Sequence, residues 1–298
     1  MIEPNAVSAA DGWIDLHAHT NESDGSFSPD NLVKLAVEAR LKALAITDHD
    51  TFRGYEKAVE FANRCGLPLI RGIELNSRLV VEHQVRYAHI LGYFPSGEPS
   101  WGFTQWLSGQ RDERRNRNER LAEKLRARGV DIRLEEVEAR GKSLAGRPHF
   151  ARVLVEKGYA SNADDAFRRY IGEDAPTFVE RQSLSSEEVV GFIRSGGGLP
   201  AVAHPIRLSL PHDESERRVL LRLKDAGLAG LEVIHSEHSA ELQRYYLGLA
   251  EGLNLLPVGG SDFHGSAKTD IALGSGRSGN VRVPLNWLER MRSAAATP

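Results

Sequence analysis

The residues of this sequence best equipped for chemistry are imidazoles and carboxylates in short, separated groups: His17 with His19, Asp24, Asp48-His49-Asp50, Glu74, His89, His204, His235, and Asp262 with His264. No cysteine stands among them. Such a donor set favours several borderline-to-hard divalent ions such as Mn2+, Zn2+ or Fe2+. In a strand, residues i and i+2 face the same side, so His17 and His19 can share an ion. A carboxylate such as Glu74 can bridge two ions with its two oxygens, and clustered ions are the usual solution for phosphoryl chemistry. Any one of these histidines alone would read as an ordinary hydrogen-bonded or surface residue. Together they point to a metal site.

The elements that must position these groups follow from period and punctuation. Apolar strands are predicted at 13–17, 43–47 and 67–75, with a pair at 79–82 and 87–94. Ser28-Pro29 opens a helix over 30–40, and a second helix over 55–65 stops at Gly66. Residues 96–180 change to polar, Arg-rich helices, which reads as a helical insertion between 1–95 and 181–298. Alternation resumes with a Ser185/Glu188 capping box and a helix to about 194, then strands at 199–204, 230–235 and 255–259. Helices at 216–226, 240–252 and 285–292 complete the pattern. Repeated strand, loop, helix units imply an α/β fold with a largely parallel sheet, and about seven of them can close into a TIM-like barrel. The candidate ligands sit at strand ends, and in such a barrel those ends open on one face.

Composition excludes several classes. With 41% hydrophobic and 27% charged residues, the chain is neither disordered nor too polar to bury a core. No apolar run approaches the roughly 20 residues that span a bilayer, and residues 1–12 lack a leader's basic and apolar regions. Cys65, the single cysteine, forbids an internal disulfide, so a cytoplasmic location is expected. A net charge of −3 argues against bulk attraction to nucleic acid and leaves polyanions to a local site.

The motifs Asp15-Leu16-His17-Ala18-His19-Thr20, Ser23-Asp24-Gly25, Thr47-Asp48-His49-Asp50, Gly72-Ile73-Glu74, His89-Ile90-Leu91-Gly92-Tyr93, Ala203-His204-Pro205 and Gly260-Ser261-Asp262-Phe263-His264, in this order, resemble the PHP (polymerase and histidinol phosphatase) family. The helical insertion resembles that of its nucleoside 3′,5′-bisphosphate phosphatases and 5′→3′ exoribonucleases. The resemblance implies a distorted (β/α)7 barrel holding up to three divalent ions, Mn2+ first, with Zn2+ or Fe2+ as alternatives. Carried over motif by motif, His17, His19, Glu74 and Asp262 would hold the first ion. Glu74, His89 and His204 would hold the second, and Asp24, His49 and His264 the third. Glu74, Asp262 and His264 would stand at the reacting centre, with Asp48 and Asp50 behind the histidines to orient them.

The same resemblance makes Gly146-Arg147-Pro148-His149 a substrate motif, with Arg147 and His149 closing over a phosphate from the insertion. Arg207 is a further phosphate candidate, since a guanidinium fork suits phosphate. Val233-Ile234-His235-Ser236-Glu237-His238 departs from the subgroup's tyrosine-rich stretch. His238 matches its phosphate-contacting histidine, and His235 has no assigned role. Glu113 with Arg117 at i, i+4 predicts that the run 111–128 is a solvated helix rather than a nucleic-acid track. His83 and His212, in polar loop-like contexts, carry no signal. The expected activity is metal-dependent removal of the 3′-phosphate from nucleoside 3′,5′-bisphosphates. The alternatives are 5′→3′ trimming of short RNA, histidinol phosphate hydrolysis and a non-catalytic metal-stabilised module. The expected partner is a small nucleotide or short RNA, with no membrane and no obligate protein partner.

Overall fold

The computed structural model describes residues 12–141, 145–180 and 184–296. Apart from Gly12, the segment 1–12, which does not read as a leader, lies outside them, as does residue 181, where the barrel is expected to resume. The first strand, β1 (Trp13–Ile14), is short. Ser28 caps α1 (Pro29–Glu38): its hydroxyl accepts the Asn31 amide, and Pro29 presets φ in the first turn. Leu32, Val33 and Ala36 of α1 pack with Ala58 and Ala62 of α2 (Arg53–Arg64) over the buried strand β2 (Leu44–Ile46).

The strands β3 (Leu69–Val81) and β4 (Gln84–Phe94) form a long antiparallel hairpin. β3 runs straight through the gap predicted between 75 and 79, because Asn76, Ser77 and Arg78 stay paired with His89, Ala88 and Tyr87. Glu82 and His83 turn the chain with φ of 48° and 66°, the pair of left-handed residues that a two-residue hairpin turn needs. Such a turn leaves no room for a crossover helix, so β4 must run against β3.

Residues 96–180 are helical in α3 (Trp101–Arg126), α4 (Leu134–Gly141), α5 (Arg147–Glu156) and α6 (Ala163–Ala166), which continues as a π-turn over Phe167–Ile171. The described residues of this segment contain no strand. Leu121, Leu125, Phe150, Leu154 and Ile171 bury one another in a hydrophobic cluster distinct from that of the sheet. After it come α7 (Ser186–Ser195), opened by the reciprocal Ser185–Glu188 capping box, β5 (Leu199–Val202), α8 (Glu214–Asp225), β6 (Gly230–His235), α9 (Ala240–Gly252), β7 (Leu256–Gly260), β8 (Val283–Pro284) and α10 (Leu285–Ala296).

The main sheet has the order β2-β3-β4-β5-β6-β7. β2–β3, β5–β6 and β6–β7 are parallel, whereas β4 is antiparallel to both neighbours, so the sheet is mixed rather than largely parallel. Just past β1, the Leu16 amide donates to Gly259 of β7, while Asp15 exchanges backbone hydrogen bonds with Ala43 and Ala45 at β2. The sheet therefore curls as a half-barrel, with the 15–17 segment between its edges. Gly260 is required there, since a Cβ on it would stand 2.3 Å from the His17 amide nitrogen. Among the described residues no helix is long and apolar enough to cross a membrane.

Candidate metal centre

Glu74 sits in the middle of the gathered histidines. Its Oε2 lies 3.4 Å from His17 Nε2, 3.1 Å from His19 Nε2 and 3.4 Å from His49 Nδ1. Its Oε1 lies 2.7 Å from His89 Nδ1 and 3.0 Å from His204 Nε2. Strand geometry explains the convergence: His17 and His19 follow β1, His49 follows β2 and His204 follows β5. His89 pairs with Asn76, so it stands on the same face as Glu74 one step along β3.

Asp262 and Asp24 close the group from the other side. Asp262 Oδ1 is 3.5 Å from the Nε2 of both His17 and His19, and 3.5 Å from His264 Nδ1. Asp24 lies 3.3 Å from His264 Nε2 and 3.6 Å from His49 Nε2. Backbone strain accompanies the site, for His204 and Asp262 carry φ of 26° and 56°. The Asp262 amide is tied to the His17 carbonyl at 2.8 Å.

The donor set fits divalent ions. His17 Nε2, His19 Nε2 and His49 Nδ1 are buried without a hydrogen-bond partner among the described residues, although each faces Glu74. Orphaned buried polar atoms are costly unless something else satisfies them. Among the described residues, three groups bring their donor atoms within 4.8 Å of one another: His17, His19 and Asp262; His49, Glu74 and His89; and His19, Asp24, His49 and His264.

The charges suit cations as well. Burial would raise the Glu74 carboxyl, but His49, His89 and His17 hold it well below the usual carboxylate range. Burial is likewise outweighed at Asp262 by His264 and His17, and at Asp24 by His264 and His49. Burial lowers His49 to about 4 and His204 to about 3. His19 goes the other way, to about 9, as Asp262 and Glu74 outweigh its burial.

Above the cluster opens a cavity of about 400 Å3 with Asp24, His49, Glu74, His89, Asp262 and His264 in its lining. Arg147 and His149, at the start of α5, line it from the helical segment, as do Phe167 and Phe178. The Arg147 guanidinium lies over both rings, 6.0 and 5.8 Å from their centroids. His149 is buried, and its Nδ1 accepts the Gly146 amide at 3.1 Å. Arg207 reaches the lining with a bidentate pair to Glu237 at 2.7 and 2.8 Å and a contact to Asp262 Oδ2 at 3.0 Å.

Other candidates lie elsewhere. Asp48 accepts from the Thr20 amide, the Thr20 hydroxyl and the Ser23 hydroxyl, and it approaches the histidines through Ser23, whose Oγ is 3.5 Å from His19 Nδ1. Asp50 is ion-paired with Arg114 of α3. His238 is buried behind His235, with Nδ1–H donated to the Val233 carbonyl at 2.8 Å, and is not in the cavity lining. His235 Nε2 stands 3.4 Å from Asp262 Oδ2. The run 111–128 is not the solvated face that its charges suggest. Arg114 and Arg117 are buried and line the cavity, because α3 turns them toward it while Arg115 pairs outward with Glu119 and Glu138. Lys268 also lines the cavity, 2.6 Å from Asp262 Oδ2. Its place four residues after His264 was the only signal for it in the sequence.

Comparison with known proteins gives a consistent family. A model of the PHP domain matches residues 15–246. The chain is 35% identical over 255 residues to the 5′-3′ exoribonuclease Rnm of Escherichia coli, covering 84% of each chain. It is 31% identical over 256 residues to the 3′,5′-nucleoside bisphosphate phosphatase of Chromobacterium violaceum, covering 84% of this chain and 87% of the relative. The structure superposes with a TM-score of 0.79 on a Bifidobacterium adolescentis protein taken to be a metal-dependent phosphoesterase, at 30% identity and over 98% of this chain and 97% of the other.

Proposed function

The chain belongs to the PHP domain family and is a metal-dependent phosphoesterase, and from that premise we propose that it removes the 3′-phosphate from nucleoside 3′,5′-bisphosphates, leaving the 5′-monophosphate. The observation that carries this reading is the split of cationic groups around one cavity. Arg207 and Lys268 adjoin Asp262 of the cluster, whereas Arg114, Arg117 and Arg147 come from the helical segment, with the neutral imidazole of His149 beside them. A substrate with two phosphates would use both sets. The cavity volume, about 400 Å3, is in the range of small-ligand sites.

In this reading His17, His19, Glu74 and Asp262 hold one ion, Glu74, His89 and His204 a second, and Asp24, His49 and His264 a third. Divalent ions there would supply Lewis-acid stabilisation of phosphoryl oxygens and a lowered pKa for water. Arg207 and Lys268 would neutralise oxygens of the phosphate being cleaved, as donors preset for charge that develops in the transition state. Arg147 and His149 would hold the other phosphate and fix its distance from the cluster. No side chain needs to become phosphorylated. The separate hydrophobic cluster of residues 96–180 supports treating them as an insertion domain that selects the substrate, while 1–95 and 181–298 supply the chemistry. The contacts of Asp15 and Leu16 with both sheet edges support a distorted (β/α)7 barrel.

The similarity to the E. coli exoribonuclease favours a second reading, 5′→3′ trimming of short RNA. Metal-loaded protein assayed on adenosine 3′,5′-bisphosphate, histidinol phosphate and 5′-phosphorylated oligoribonucleotides separates them. The bisphosphate should give the highest kcat/KM, and a higher value on RNA would reverse the order of the two readings.

A further inference from the structure

Glu232 of β6 belongs to none of the ligand sets above, yet it is fully buried beneath them. Its oxygens face two of the histidines. Oε1 accepts His17 Nδ1–H at 2.8 Å, and Oε2 accepts the His204 amide at 2.5 Å. A carboxylate is acceptor-only when ionised, so the imidazole nitrogen facing it must carry the hydrogen.

The strand is irregular here. Glu232 pairs with Val258 but Ile234 with Gly259, so β6 holds one extra residue against β7. In an unbroken strand, residues three apart point to opposite faces. The bulge cancels that offset, and both Glu232 and His235 turn inward, His235 toward Asp262. Bulges recur beside active sites because they re-aim side chains in this way.

We propose that Glu232 is a positioning residue for the metal centre: it keeps the hydrogen of His17 on Nδ1, so that Nε2 is presented as a lone-pair donor beside Glu74 and Asp262, and it anchors through its amide the positive-φ residue His204. Nε2 of His17 is the orphaned nitrogen, 3.4 Å from Glu74 and 3.5 Å from Asp262. The hydrogen bond to Glu232 also makes the ring more basic and restricts its rotation. The inference rests on the metal-centre reading given above.

The test is metal affinity rather than turnover. Chelated protein is titrated with Mn2+, and free ion is followed by electron paramagnetic resonance. Glu232→Gln keeps the shape, removes the charge and turns one donor against a donor. It should weaken the tightest Mn2+ by about 10- to 100-fold, and Glu232→Asp should recover part of the loss. Unchanged affinity in Glu232→Gln, with Mn2+ bound by the wild type, would overturn this inference alone. A wild type that binds no Mn2+ would overturn the metal-centre reading and this inference with it. Should neither variant fold, nitrogen-15 spectra of the Zn2+-loaded wild type decide. His17 should carry its hydrogen on Nδ1, and a hydrogen on Nε2 would refute the role.

Discussion

Replacing Arg147 by alanine asks whether the helical segment selects the substrate. The guanidinium is cradled by Phe167 and Phe178, and its ion pair with Glu173 is long, 3.8 Å. The fork is thus oriented by two rings while most of its donors stay available to a ligand in the cavity. A charge-assisted hydrogen bond contributes about 1.5–3 kcal/mol, equivalent to about 10- to 150-fold in rate constant. The side chain is 32% exposed, and solvent screening trims the upper end. Arg147→Ala should therefore lower kcat/KM for adenosine 3′,5′-bisphosphate by about 10- to 100-fold. An aryl phosphate, which lacks the second phosphate, should change by less than about threefold. Arg147→Lys should recover only part of the loss, because an ammonium keeps the charge but not the planar fork. The assay is initial rates on both substrates with metal-saturated protein and a matched thermal melt. Equal losses on both would mean that Arg147 touches the reacting phosphate or supports the fold, and no loss on either would return it to the surface; both outcomes refute the selection argument.

Other outcomes follow from the same geometry. Glu74→Gln and Asp262→Asn should each lower kcat by at least about 100-fold, since a neutral amide keeps the shape of the side chain but loses the charge that would hold the ions; the exposed turn residue His83, as His83→Ala, should leave the rate within twofold. Elemental analysis of Mn2+-reconstituted protein should give more than one ion per chain, because the gathered donors exceed what one four- to six-coordinate ion can use; a value that never passes one contradicts a multinuclear centre. Tyr93→Phe should lower stability by about 1–2 kcal/mol in urea unfolding without changing the metal count, because the Tyr93 hydroxyl donates to the Leu16 carbonyl at 3.0 Å in the fully buried core.

The gathered donors were legible in the sequence because they stand next to short apolar strands, so that only the order of the strands was needed to bring them together. The direction of β4 was less legible, since Glu82 and His83 are not the Asn-Gly pair that announces a two-residue turn. The inward face of α3 is hidden in the sequence for a related reason. Arg114 and Arg117 are three apart, as core residues of a helix are, but their charge and their acidic neighbours imitate a solvated face. Glu232 carried a usable signal, an acid inside the apolar run Gly230–His235. Only the bulge that turns both Glu232 and His235 inward has no trace in the residues themselves. His238 shows the reverse limit, for matching a motif position did not bring its side chain to the cavity, where packing against Tyr246 and His235 holds it back.

Cleavage of the 3′-phosphate of a nucleoside 3′,5′-bisphosphate at the Glu74-centred cluster, as proposed, can be read from the identity of the product. Adenosine 3′,5′-bisphosphate incubated with metal-loaded protein and followed by phosphorus-31 magnetic resonance should yield inorganic phosphate and adenosine 5′-monophosphate, with Glu74→Gln inactive under the same conditions. Accumulation of adenosine 3′-monophosphate, or undiminished turnover by Glu74→Gln, would contradict it.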